Sequence, residues 1–387
     1  MKIIADANIP FVKDCFSSVG EVEVFPGREI TRDVVGEAEC LLVRSVTKVD
    51  SNLLAGSRVR FVGTATIGFD HIDIEYLKRN NIGFASAPGS NANSAAEYVI
   101  AGLFEIGRKY KIKLEGKSIG IIGVGNVGSR VAGKCALLGM KVLLNDPPLQ
   151  RAGGDVKYRP LEELYDCDFI TFHTPLTFEG VDKTFHLADE KFFKSLKAGC
   201  VFINASRGEV ADAKAMKTLI RSGELETAVL DVWENEPNID TELLEMVDIG
   251  TPHIAGYSLD GKIAGMIMIY KAACEYFGLK AEHDIEEFLP EPDVPRLKIN
   301  PGSGSEQDVL RKAVEKVYKI SEDDRKLRKI LNVPAKRGEF FDNLRKNYRV
   351  RREFQNTEME FTAKAAGGTE NLSKKLKGIG FKIKGEK

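Results

Sequence analysis

The chain has 387 residues, too many for one ordinary hydrophobic core, so two or three domains are expected. With 43% hydrophobic residues, 29% charged residues and a net charge of −1, it has a soluble globular composition and no overall pull toward nucleic acid or an anionic membrane. The opening Met1-Lys2-Ile3-Ile4-Ala5-Asp6 meets an acid too soon for a signal peptide, and no apolar run reaches about 18 residues. Six cysteines at 15, 40, 135, 167, 200 and 274 show neither CxxC pairing nor metal-ligand spacing. A cytoplasmic protein with free thiols and no bound metal is expected.

The first hundred residues alternate short β-branched runs with polar, periodic stretches: Ile3-Ile4-Ala5, Val22 to Phe25, Leu41-Leu42-Val43, Arg60-Phe61-Val62 and Ile82 to Ala85. This is an α/β pattern with a small parallel sheet. Polar groups follow the strands at Arg44-Ser45, at Gly63-Thr64-Ala65-Thr66 and at Ala87 to Asn91, where ligands bind in open parallel sheets. A long helix follows, capped by Asn93 or Ser94 and apolar over much of its circumference through Ile106.

The helix leads into Ile119-Gly120-Ile121-Ile122-Gly123-Val124-Gly125-Asn126-Val127-Gly128, an apolar run broken by spaced glycines and continued at helical spacing by Val131, Cys135 and Leu138 before Gly139. Strand, turn and helix in that order are the context of a dinucleotide fingerprint. Gly123 permits the tight turn, Gly125 admits the pyrophosphate, Gly128 lets the helix pack closely, and Asn126 and Val127 open the helix whose N-terminus faces the phosphates. The next strand, Lys141 to Asn145, ends in Asp146, where a carboxylate accepts from the ribose hydroxyls and repels a 2′-phosphate. The expected cofactor is therefore NAD, although Arg151 lies close enough to meet a 2′-phosphate.

Further strands end at His173-Thr174-Pro175, at Ala205-Ser206-Arg207-Gly208 and at Asp231-Val232-Trp233, and a turn from Thr251 to Tyr257 closes the segment before a helical run to Gly278. The dinucleotide domain is thus inserted within the first domain. From Ala281 to about Ser303 the Glu, Pro and Gly content reads as a linker, and Ser305 to Asp308 resembles a capping box before Leu310, Val314 and Val317. From Glu286 onward 24 basic residues face 17 acidic ones, but they are interleaved and carry no base-stacking motif, which indicates a solvated face rather than a nucleic-acid surface.

Hydride removal from a secondary alcohol requires a base for the hydroxyl proton, and imidazole is suited to that near neutral pH. His253 is the candidate, and His173 and His186 are competitors that spacing alone does not eliminate. Glu236 could orient the base, and the planar guanidinium of Arg207 suits two-point binding of a carboxylate.

The arrangement of Ser206-Arg207-Gly208, Leu230-Asp231-Val232-Trp233-Glu234-Asn235-Glu236-Pro237 and Thr251-Pro252-His253-Ile254-Ala255-Gly256 resembles the D-2-hydroxyacid dehydrogenase family over residues 1 to about 280. The resemblance implies a Rossmann-type doubly wound NAD domain (94–256) inserted in a smaller flavodoxin-like α/β substrate domain (1–93 and 257–285). It also implies catalytic roles for Arg207, Glu236 and His253, and so selects His253 over His173. The stretches 43–49, 62–73, 172–176 and 254–262 are similar to a branch that acts on a phosphorylated small 2-hydroxy acid. That likeness implies that Ser45, Thr66 and Tyr257 touch substrate, and that Asp146, Thr174, Ala205, Ser206, Arg207, Asp231 and Gly256 lie on NAD beside Gly123, Gly125, Asn126, Val127 and Gly128. Ile67 and Phe69 depart from it, being larger than expected, and the substrate phosphate would have Arg44, Lys48 and residues lent by a partner subunit as candidate ligands. Phe341 to Tyr348 and Arg351 to Phe354 resemble the branch's additional C-terminal domain, expected here as an α+β homodimerisation domain over 286–387. A D-3-phosphoglycerate dehydrogenase, or an NAD-sensing corepressor without enzymatic activity, would share most of these motifs.

Overall fold

The computed structural model describes residues 1–154, 156–362 and 369–385. The expected C-terminal domain therefore includes some positions outside the described residues. Contacts gather the chain into two compact units, 1–91 with 258–291 and 92–257 with 292–387.

The first unit is a five-stranded parallel sheet of β1 (Lys2–Asp6), β2 (Glu21–Phe25), β3 (Cys40–Val43), β4 (Phe61–Thr64) and β5 (Gly83–Ala85), in the order β2-β1-β3-β4-β5. This is the flavodoxin-like order, with its switch point between β1 and β3. Both faces are covered, and the side chains divide by parity. Ile3, Ala5, Cys40, Leu42 and Phe61 pack with Met266, Ile269 and Tyr270 of the helix Leu259–Phe277, while Ile4, Leu41, Val43 and Val62 pack on the other face with Leu53 and Leu77. Continuous apolar strands follow from that double burial.

In the second unit β6 (Ser118–Ile122), β7 (Lys141–Asn145), β8 (Phe169–Phe172), β9 (Val201–Asn204), β10 (Thr227–Leu230) and β11 (Ile249–Gly250) form a parallel sheet ordered β11-β10-β9-β8-β6-β7. Leu144 of β7 also bridges Tyr158 in parallel. Counting Tyr158 as a one-residue third strand gives the doubly wound order 3-2-1-4-5-6 with β11 as a seventh strand at the edge, and the crevice opens between β6 and β8. The small sheet β12 (Arg296–Ile299), β13 (Glu358–Phe361) and β14 (Lys382–Ile383) completes the unit with the helices Glu306–Val317, Ile320–Leu327, Arg337–Lys346 and Glu370–Ile379.

Four expectations are corrected. The long helix begins at Ala92 and runs to Lys109, so Asn93 and Ser94 lie inside its first turn rather than capping it. The linker assigned to Ala281–Ser303 contains β12, whose Ile299 is buried among Val309 and Leu310; proline and glutamate around a four-residue strand concealed it. The small sheet is parallel throughout, whereas an α+β domain would be expected to pair its strands antiparallel; helical crossovers between its strands allow the parallel pairing. The C-terminal segment also shares its core with the dinucleotide fold. Val309, Val314, Tyr318 and Phe354 join Tyr98, Leu103 and Ile119 in one cluster, and Leu327, Ile330 and Phe341 join Trp233 and Leu244 in another. The capping box is present, with Ser305 and Asp308 bonding each other's backbone amides.

Candidate active site

The glycine turn after β6 shows why each small residue is needed. Gly123 has φ +85°, and a Cβ there would lie 2.8 Å from the His173 carbonyl carbon. A Cβ on Gly128 would lie 2.0 Å from the Gly123 oxygen, whereas one on Gly125 would meet nothing within 4 Å, which leaves open space above the turn. The helix Asn126–Leu137 starts at Gly125 with no side-chain cap, so its first amides keep their bonding capacity for an anion. Across the crevice the Thr174 hydroxyl is buried with no partner. Asp146, at the end of β7, accepts from the Val124 amide at 2.7 Å and from the Leu149 amide at 3.0 Å, capping the helix Pro147–Gly153. An open cradle, uncapped amides, a terminal acid and an orphaned hydroxyl together fit a dinucleotide.

Beyond β9, Asn204 builds the next loop. Its Oδ1 accepts from the Ser206 amide (3.0 Å) and hydroxyl (2.8 Å), and its Nδ2 donates to the Arg207 carbonyl (2.9 Å). Arg207 donates from a terminal guanidinium nitrogen to the Ser206 carbonyl at 2.8 Å. A Cβ on Gly208 would lie 2.0 Å from the Trp233 backbone carbonyl, so only glycine lets this loop touch the one after β10. Ala205 lies half-buried before that loop.

The loop after β10 carries two acids, each holding a histidine. Glu234 Oε1 lies 2.6 Å from His186 Nε2, and Glu234 Oε2 accepts from the Ala213 amide at 3.1 Å. Glu236 Oε2 lies 2.7 Å from His253 Nδ1, and Glu236 Oε1 accepts from the Trp233 amide at 2.9 Å. Burial of the Glu236 carboxyl would raise its pKa, but the His253 charge and hydrogen bond, the Arg345 charge and the Trp233 amide together bring it below the ordinary value. With Glu236 ionised, Nδ1 is the donor and Nε2 carries the lone pair.

His253 itself sits at φ +55° in a turn pinned by Asp231. The Asp231 carboxylate accepts from the Thr251 hydroxyl (2.6 Å) and from the Ile254 and Ala255 amides (each 2.8 Å). Trp233 Nε1 donates to the Thr251 carbonyl at 2.9 Å, tying the two loops together. Asn204 and the buried Asp231 thus shape the site; Asp231 is expected from the sequence on NAD and instead spends its carboxylate on the turn, while Asn204 is signalled only by asparagine's habit of bonding nearby backbone.

His173 is not equivalent. Its Nε2 lies 3.0 Å from the Thr171 hydroxyl, its Nδ1 is enclosed without a partner, and burial lowers its pKa to about 3. It is held neutral, with no carboxylate to orient it. His186 is stacked on Phe185 at 4.1 Å and engaged by Glu234. The second unit therefore brings Arg207, Glu236, His253, Gly256 and Tyr257 onto neighbouring loops at the carboxyl ends of β9 to β11.

In the first unit, Ser45 follows β3 at the switch point, beside Arg44, which reaches the Asn8 carbonyl at 3.5 Å. Thr66 Oγ1 lies 2.7 Å from Thr64 Oγ1 and donates to the Gly68 carbonyl at 2.9 Å, while His71 Nε2 stands 3.1 Å from Thr64 Oγ1. Phe69 is 45% exposed and meets Phe84 edge-on at 5.7 Å, and Lys48 pairs with Asp50 at 3.2 Å. Among the described residues no three His, Cys, Asp or Glu converge as a metal site, and no helix is long and apolar enough to cross a membrane.

Residues 87–255 match the NAD-binding domain model of the D-isomer specific 2-hydroxyacid dehydrogenases, and residues 288–380 match a domain of unknown function. Two solved structures share the fold at 26% identity. They are the D-lactate dehydrogenase of Aquifex aeolicus with NAD and lactic acid (TM-score 0.60, 71% of this chain and 95% of that one) and the NAD⁺-bound 3-phosphoglycerate dehydrogenase of Entamoeba histolytica (TM-score 0.61, 73% and 98%). Erythronate-4-phosphate dehydrogenases of Shigella dysenteriae serotype 1 and Escherichia coli are each 45% identical over 355 residues, 92% of this chain and 92% of theirs. Fold and cofactor domain define an NAD-dependent oxidoreductase, and the chain belongs to the D-isomer specific 2-hydroxyacid dehydrogenase family. Within that family it groups with the erythronate-4-phosphate dehydrogenases.

Proposed function

We propose that this protein oxidises 4-phospho-D-erythronate at C2 to (R)-3-hydroxy-2-oxo-4-phosphobutanoate with NAD, in the pathway to pyridoxal 5′-phosphate. The observation that carries the reading is the His253–Glu236 pair at 2.7 Å, in a chain 45% identical to erythronate-4-phosphate dehydrogenases along nearly its whole length. NAD supplies the hydride acceptor. The uncapped amides after Gly125 and the Asp146 carboxylate would hold its pyrophosphate and ribose, and Thr174, Ala205, Ser206, Asp231 and Gly256 line the strand ends along which the rest would lie.

The chain's own part is proton and charge management. Glu236 accepts from Nδ1 of His253, which leaves Nε2 to take the C2 hydroxyl proton, and the same carboxylate stabilises the imidazolium that results. Arg207 binds the C1 carboxylate by charge-assisted hydrogen bonds and polarises the developing carbonyl. Ser45, Thr66 and Tyr257 contact the substrate. In this reading residues 1–93 with 257–285 act as the substrate domain, 94–256 as the NAD domain and 286–387 as the element through which two copies of this cytoplasmic protein pair.

The test is NADH formation over a panel of hydroxy acids. A shorter substrate such as 3-phosphoglycerate should lose about 10- to 200-fold in kcat/KM, the range for one missing carbon unit in a fitted pocket. Equal or better use of 3-phosphoglycerate would overturn the substrate assignment.

A further inference from the structure

We propose that Arg345, on the helix Arg337–Lys346 of the C-terminal segment, is the cation that recognises the substrate's terminal phosphate. The inference rests on the function proposed above and deepens it, because the stretch Phe341 to Tyr348, which contains Arg345, reads from the sequence only as part of a pairing domain.

Four observations within the second unit converge on this residue. Its guanidinium carbon lies 5.8 Å from the centre of the Tyr257 ring, which places a positive charge on the residue four positions after His253. Its Nε is enclosed and has no hydrogen-bond partner, although a buried arginine nitrogen normally finds one. The acid closest to the chemistry, Glu236, already uses one oxygen on His253 and the other on the Trp233 amide, so its carboxylate attracts Arg345 by charge while its hydrogen bonds go elsewhere. The helix is also firmly seated: Phe341 is fully buried among Trp233 and Leu244, and the Tyr348 hydroxyl donates to Asp323 at 2.7 Å.

The chemistry of the substrate supplies the complement. With the C1 carboxylate at Arg207 and the C2 oxygen at His253, the phosphate stands two carbons beyond C2, and Tyr257, four residues after His253, carries Arg345 on its ring. A phosphate dianion next to an ionised Glu236 needs a cation between them, and a planar guanidinium can donate to two phosphate oxygens while its face rests on an aromatic ring. The added C-terminal segment thereby contributes directly to substrate choice.

The experiment compares 4-phosphoerythronate with unphosphorylated erythronate in the full-length protein, for the wild type, Arg345→Met and Arg345→Lys, with NADH binding by fluorescence as the check on folding. In Arg345→Met the kcat/KM preference for the phosphorylated acid should shrink about 100-fold, as expected for the loss of charge-assisted hydrogen bonds, mostly through KM. Arg345→Lys should fall between the two. Competitive inhibition by inorganic phosphate should weaken in parallel. An equal loss on both substrates or an unchanged preference would overturn the role, the first by showing that Arg345 acts through Glu236. If the wild type itself shows no preference for the phosphorylated acid, the proposed substrate is what fails.

Discussion

His253 and His173 both follow strands of the same sheet, yet their surroundings give them opposite proton chemistry. His253 faces an ionised carboxylate at 2.7 Å, whereas His173 is enclosed with only a threonine hydroxyl. Replacing His253 with Asn should cost about 100- to 10,000-fold in turnover while leaving NAD binding intact. Glu236→Gln should lose rate more modestly, since the amide oxygen still accepts from Nδ1 but no longer offsets the charge of the imidazolium. Turnover equal to that of the wild type would remove Glu236 from that role. His173 makes a different prediction, about stability. Its folded pKa of about 3 lies below the ordinary value of 6.5, so as pH falls from 6.5 toward 3 the unfolded chain takes up a proton that the folded one refuses. Stability present above pH 6.5 is therefore lost across that window, by about 1.4 kcal/mol per pH unit. In His173→Gln, denaturant midpoints followed from pH 6.5 to 4 should decline less steeply than in the wild type, and parallel slopes would show that His173 is not held neutral. Motif residues were legible in the sequence because glycines, terminal acids and the Arg, Glu and His stand in fixed local patterns. Arg345 was not, because its relation to Tyr257 spans 88 positions and arises only on folding.

At the scale of elements, the loops of the second unit are held at contact distance by what is missing from them. Gly208 lies against the Trp233 backbone and Gly128 against the Gly123 oxygen, and a methyl group at either place would separate the two partners. Strands bounded by such turns could be read from the sequence because each is a short, doubly buried apolar run. The strand Arg296–Ile299 escaped because only Ile299 is fully buried and prolines surround it, and the two-residue β11 is too short to show a period. Asp146 would join local structure to function, because the carboxylate that caps a helix stands at the end of β7, the position proposed for the ribose. Asp146→Asn keeps a good capping residue and removes the charge, so the helix should survive while the preference for NAD over NADP falls. An unchanged preference, measured as the ratio of kcat/KM values, would assign Asp146 to capping alone.

At the scale of the whole second unit, the C-terminal segment is bound to the dinucleotide fold by buried charge as well as by apolar packing. Arg351 is 2% exposed, lies 4.3 Å over the Tyr318 ring, and donates to the Ser94 carbonyl at 3.2 Å and the Ala255 carbonyl at 2.6 Å. Glu97, 1% exposed, accepts from the Phe354 amide at 2.8 Å, and Lys134 donates to the Ile379 carbonyl at 2.7 Å. Burial, and then the neighbouring Glu353, push the Glu97 pKa well up, while Lys134 and Arg351 work against them. This arrangement explains why composition suggested a separable tail. The charges that join the segment to the fold look like surface charges in the sequence, and only their burial shows otherwise. Cutting the chain near Pro290 would consequently expose a core instead of releasing a clean monomer, so the pairing of two copies is better tested by sedimentation of the intact protein, where a monomer at micromolar concentration would contradict it. Arg351→Met keeps the volume and stem packing but removes the cation from Glu97 and the donors from two carbonyls. Breaking one side of such a buried cluster costs about 3 to 5 kcal/mol, and at about 2 to 4 °C per kcal/mol for a unit of this size the melting temperature should fall by roughly 6 to 20 °C. Because the Ala255 carbonyl belongs to the turn held by Asp231, turnover should drop at temperatures well below melting too, with His253 less firmly placed. A variant that melts with the wild type and turns over normally would show that Arg351 neither secures the segment nor steadies the catalytic turn.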